Sequence, residues 1–114
     1  MIMSDFYQIE SVENVDGLTH VSVRVNSEHD ICRAHFPSKP ITPGAMLISI
    51  AIDLVTSEKG VTSDVDELKN VKFLSPHNPV AQPRLAFVFD AAKSPVEVNI
   101  MADETAVAKM TLVV

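Results

Sequence analysis

The sequence predicts an α+β domain in which one long central helix is wrapped by a curved antiparallel sheet of about six strands. Two observations lead there. A single segment, AMLISIAIDLV, carries apolar residues at helical spacing, and the remaining apolar residues fall in short alternating segments bounded by turn-forming residues. The helical segment is also apolar over most of its remaining surface, so it needs cover on more than one side, and a curved sheet supplies that from few elements. At 114 residues, 46% of them hydrophobic, the chain suits one domain over residues 1–114.

Taken in order, Phe6 to Val12 reads as a strand and Leu18 to Val25 as its partner, with Thr19, Val21, Val23 and Val25 on one side. Asn14-Val15-Asp16-Gly17 between them has the composition of a hairpin turn. In the helix, Met46, Leu47, Ile50, Ala51 and Leu54 share a face. Thr42 is placed to cap it, with Pro43 at the first helical position, where a missing N–H costs nothing, and Gly60 is the natural stop. Val61 to Lys69 is polar and acidic and reads as a loop with a short turn of helix. Four strands follow: Asn70 to Leu74, Leu85 to Ala91, Val96 to Met101 and Ala106 to Val113, separated by HNPVAQP, AAKSP and ADET.

Composition excludes several function classes. The formal charge of −6 argues against non-specific nucleic-acid binding. Residues 1–30 carry −5, residues 31–84 carry +1 and residues 85–114 carry −2, so an acidic partner would dock near Arg33, Lys39, Lys69, Lys72 or Arg84, unless these form an ordinary solvated surface. Cys32 is the only cysteine, and His20, His29, His35 and His77 are scattered, so no metal and no cofactor is expected. No basic start leads a long apolar stretch, and Ala45 to Val55 is too short to span a bilayer, which points to a soluble, cytoplasmic protein without a membrane partner.

HFPSKPITPG, residues 35–44, holds a histidine among three prolines directly before the helix. With the helix that follows, it resembles the signature of the hot-dog-fold 3-hydroxyacyl-(acyl carrier protein) dehydratases, His-Phe-Pro-Gly-x-Pro-x-x-Pro-Gly. His35, Phe36, Pro37, Pro40, Pro43 and Gly44 match in register, and Ser38 replaces a glycine. KNVKFLSP, Lys69 to Pro76, is similar to that family's strand after the helix, so the resemblance covers nearly the whole chain. It implies a homodimer or higher homo-oligomer in which two sheets join edge to edge and active sites lie between subunits. His35 of one protomer would face the other's helix, and an acyl chain delivered by acyl carrier protein would enter between them, in fatty acid or related polyketide-type biosynthesis.

Removing water from a 3-hydroxyacyl thioester needs a base for the C2 proton, an acid for the C3 hydroxyl and donors for the thioester carbonyl. A histidine titrates near neutrality, and the match makes His35 the base, with Phe36 and Pro37 restricting its position. Gly44, at a helix start where N–H groups lie unpaired, suits the carbonyl. Phe36, Gly44 and Ser49 are thus placed against the substrate. Most of the family carries Glu or Asp where this chain has Ser49, a hydroxyl too weakly acidic to substitute. Asp53, one turn further on, occupies the place of a Gln in the main family and of a carboxylate in some short relatives.

Asp53 has two readings. Desolvated on an apolar helix it would hold a proton near neutrality and act as the acid; otherwise it pairs within a dimer core. Three functions follow: a dehydratase; a degenerate subunit that lends His35 to a related partner in a heterodimer; or a thioesterase or acyl-binding protein, since the fold supports these too. Met46 and the isoleucines read as core, Cys32 as a small apolar residue, and His77 as a surface residue with no partner.

Overall fold

The structure, a computed structural model, describes residues 6–28, 41–61 and 65–114. In chain order it comprises β1 (Tyr7–Val15), β2 (Leu18–Val25), α1 (Gly44–Lys59), β3 (Glu67–Phe73), β4 (Arg84–Phe89), β5 (Val96–Ala102) and β6 (Thr105–Val113). His35, Phe36, Pro37, Pro40 and Cys32 lie outside the described residues.

The six strands form one antiparallel sheet in the order β1-β2-β4-β5-β6-β3. Between β2 and β4, which are neighbours, the chain passes through α1 and then β3 at the opposite edge. Alternation decides which face is buried. Val21, Val23 and Val25 of β2, Leu85, Phe87 and Phe89 of β4, and Val96, Val98 and Ile100 of β5 are all buried, as are Ala108, Met110 and Leu112 of β6. Against them α1 buries Met46, Leu47, Ile50, Ala51, Leu54 and Val55, completing one core. Each of the larger of these side chains contributes roughly 1.5–3 kcal/mol on leaving water, which is why a helix this apolar settles there.

At 16 residues α1 is a short helix, not the long one the sequence predicts. Gly60 ends it as expected: at φ 70° it adopts the left-handed conformation, and the N–H groups of Gly60 and Val61 return to the carbonyls of Ser57 and Thr56 at 3.1 Å each. The first hairpin turns at Asp16-Gly17, φ 52° and 82°, so that Val15 pairs with Leu18. β3 begins at Glu67, earlier than expected. Asn70, at φ 55°, lies at a bulge between the pairs Lys69–Thr111 and Lys72–Lys109.

Candidate functional site

The mouth of α1 is built by three short stretches of chain. Pro43, not Thr42, occupies the N-cap position, with extended φ −61° and ψ 142° and no side-chain cap. Its carbonyl accepts from the N–H of Met46 at 3.0 Å and of Leu47 at 3.3 Å, which leaves the N–H groups of Gly44 and Ala45 unpaired among the described residues. A groove of about 360 Å³ opens here, lined by apolar Ile41, Leu47, Phe73 and Leu74 and walled by Pro43 and Gly44. Gly44 permits close packing: a Cβ there would stand 2.5 Å from Cζ of Phe73 and 2.8 Å from its Cε1, so the exposed ring would have to move aside. The bare Cα lets the Phe73 ring lie on the helix start.

Thr42 has lost its expected capping role to a residue far along the chain. Its hydroxyl lies 2.7 Å from Nδ1 of His77, and its backbone N–H donates to the His77 carbonyl at 2.9 Å. The other ring nitrogen, Nε2, donates to the Gln82 carbonyl at 2.5 Å. His77 is therefore no surface residue: it is 3% exposed, and burial pushes its pKa below 6.5, against a smaller upward effect of the Gln82 hydrogen bond. Gln82 is itself fixed, donating its backbone N–H to Asn78 at 2.9 Å and its side-chain amide to Asp103. Asn78 accepts from the N–H groups of Val80 and Ala81, so the loop from Pro76 to Pro83 is an ordered strap.

The residues predicted on the next turns point elsewhere. Ser49 donates its hydroxyl to the Ala45 carbonyl at 3.1 Å, a bond inside its own helix. Asp53 is half-buried and accepts a hydrogen bond from the Tyr7 phenol. Tyr7 pairs with Val25 and so faces the helix, and its pKa is raised, first by burial and then by the charge and hydrogen bond of Asp53. Gly44 and Asp53 are about two and a half turns apart, so they occupy opposite flanks of α1, one towards β3 and one towards β1.

Of the predicted site residues, Gly44 alone lines the groove; Ser49 and Asp53 do not, and His35 and Phe36 lie outside the described residues. Sequence reading missed Phe73, Thr42, His77 and Tyr7. Phe73 was detectable, as an aromatic in the strand that follows the helix. The Thr42–His77 contact spans 35 positions and leaves no local pattern. A second, polar hollow of about 280 Å³ lies on the sheet face away from α1, lined by Lys72, Lys109, Glu97 and Asn99 among others. Among the described residues no three His, Cys, Asp or Glu side chains converge as metal ligands would, and no helix is long and apolar enough to cross a membrane.

Comparison with solved structures finds this fold in the dehydratase heterocomplex ApeI:P from Xenorhabdus doucetiae, at a TM-score of 0.72 and 17% identity, covering 93% of this chain and 95% of that one. An uncharacterized protein from Erwinia carotovora subsp. atroseptica is similar at a TM-score of 0.56 and 18% identity, covering 92% and 90%. No curated protein matches. The family with which residues 11–111 align is ApeI-like, described as ApeI dehydratase. Matched from the first strand to the last, and folded with the helix-on-sheet arrangement that the hot-dog resemblance implies, the chain belongs to the ApeI-like dehydratase family.

Proposed function

We propose that this chain is a hot-dog dehydratase subunit that removes water from 3-hydroxyacyl thioesters presented by acyl carrier protein, and that it works as a paired assembly. The observation that carries the reading is the groove at the helix mouth, apolar along Ile41, Leu47, Phe73 and Leu74 and ending at the N–H groups of Gly44 and Ala45, which have no acceptor among the described residues. An acyl chain suits its walls, and a thioester carbonyl suits its end, where aligned peptide dipoles favour developing negative charge. The neighbour described as a heterocomplex supports pairing between hot-dog subunits.

In the proposed reaction the imidazole of His35 takes the C2 proton, and the electron pair left behind forms the C2–C3 double bond. The C3–O bond breaks as a protonated Asp53 of the opposite subunit gives its proton to the departing hydroxyl, releasing water. Transfer of the proton from His35 to Asp53 through solvent resets the pair. The separation of Gly44 and Asp53 on opposite flanks of one helix fits a site completed by two chains rather than one.

Tyr7 favours a second reading. Its phenol engages the Asp53 carboxyl group within the same chain, on the flank of α1 towards β1, so that group is already partnered there. On that reading the chain lends His35 to a related subunit whose helix carries the acid. Incubating the purified chain with a 3-hydroxyacyl thioester of acyl carrier protein and following enoyl absorbance tests both. Enoyl product that disappears in His35→Ala is expected. Product formed only after a related subunit is added would favour the second reading, and free thiol without enoyl product would indicate thioester hydrolysis.

A further inference from the structure

His77 is a buried titratable group that the reaction above does not use, and its surroundings define its protonation. The Gln82 carbonyl can only accept, so the proton of the neutral ring sits on Nε2; Nδ1 is then a bare acceptor, and the Thr42 hydroxyl must donate to it. With the Thr42 N–H donating to the His77 carbonyl, Thr42 is tied to His77 through both its backbone and its side chain. Thr42 immediately precedes Pro43, whose carbonyl starts the hydrogen-bonded ladder of α1, and Gly44, the wall of the groove.

We infer that His77 is a positioning residue, a latch that fastens the mouth of α1 to the strap before β4 and thereby fixes the groove wall at Pro43 and Gly44. Its effect on turnover rests on the dehydratase reading above, whereas the latch itself is a property of the groove. The latch is built for the neutral ring. Protonation at Nδ1 sets a donor against the donating Thr42 hydroxyl, which must rotate, and leaves a charge in a buried site. Among the described residues the groups facing the ring are the Thr42 hydroxyl from the helix mouth, the Gln82 carbonyl from the strap and the uncharged lining of the groove from α1 and β3. Among the described residues the carboxylate on this network is Asp103 in the β5–β6 turn, which reaches it through the side-chain amide of Gln82.

The sign of the pH effect follows. The folded-state pKa lies below 6.5, so the stabilisation is complete above 6.5 and is lost as pH falls through the lowered value. The test is amide hydrogen exchange at Met46 and Leu47, whose N–H groups bond to Pro43, measured as protection factors from about pH 8 to pH 5 in wild type, His77→Gln and Thr42→Val, with kcat and KM on the acyl thioester alongside. Wild type should lose roughly fivefold to tenfold protection on acidification. Gln, which donates and accepts but does not titrate, should flatten the profile, and Thr42→Val should lower protection at every pH and raise KM more than it lowers kcat. Wild-type protection that is flat with pH, or equally pH-dependent in His77→Gln, overturns the latch. Should none of the three proteins form enoyl product while the exchange profiles differ as stated, the latch stands and the dehydratase reading falls.

Discussion

Gly44 and Phe73 set the shape of the groove between them. Ala at position 44 would bring its Cβ to 2.5 Å from the ring, but the ring is 56% exposed and has room to swing. We therefore expect Gly44→Ala to change unfolding free energy by less than about 1 kcal/mol, since Ala also favours the helix, while altering KM for acyl thioesters. Adding Phe73→Ala should recover part of the loss, which a steady-state comparison of the single and double variants measures. On the other flank, Asp53→Asn is expected to lower kcat by about 10²- to 10⁴-fold with the fold intact by circular dichroism, if Asp53 supplies the acid. Tyr7 gives a separate signature. Its folded pKa is raised, so its contribution to stability is present below 10 and is lost as pH rises through the folded value. Denaturant titrations of wild type and Tyr7→Phe should therefore converge at high pH.

The elements were legible to different degrees, for identifiable reasons. β2, β4 and β5 each bury every second residue, so the period of the pattern is the period of the structure. β3 begins earlier than its pattern predicts because Asn70 breaks that period: across its bulge Lys69 and Lys72, three residues apart, face the same side. The start of α1 is hidden in the sequence because Thr42 looks like a cap locally, while in the structure its hydroxyl bonds to His77. The stop was readable, since a left-handed residue after a lysine-ended helix is the ordinary place for glycine. Gly60→Ala should cost about 1 kcal/mol in unfolding free energy by denaturant titration, through conformation alone, because nothing lies within 4 Å of the added Cβ. The site was legible only as a motif. Its spacing proposes His35 and Gly44 for one centre, but nothing in it tells that Gly44 and Asp53 leave the helix on opposite flanks.

For the whole molecule, the exposed edge at β3 argues for a partner. Leu68 and Phe73 pair with the buried Leu112 and Ala108 and so share the core-facing side of the sheet, yet they are 37% and 56% exposed; Leu74, just beyond the strand, is 50% exposed. The helix adds to this surface, since Ala45 is exposed and Ile48 and Ile52, though packed against the core, are only half-buried. A second subunit along β3 would cover the Leu68–Phe73 row, and Phe73→Glu is expected to shift sedimentation towards the monomer. The opposite side of the same edge carries Lys69 and Lys72, with Lys109 directly across from Lys72, and none of the three has an ion pair among the described residues. Pairing of two identical β3 edges would bring these lysines together. Self-association should therefore strengthen as salt is raised, whereas pairing with an acidic-edged relative should weaken.

The central claim is that a single acyl group is handled by His35 of one subunit and Asp53 of another. Mixing two inactive proteins, His35→Ala and Asp53→Asn, under conditions that exchange subunits, and assaying enoyl formation, tests it most directly. A shared site predicts recovery of about a quarter of wild-type activity, since half of the dimers are mixed and each mixed dimer has one intact site of two. A mixture as inactive as either parent, although exchange is verified, would contradict it.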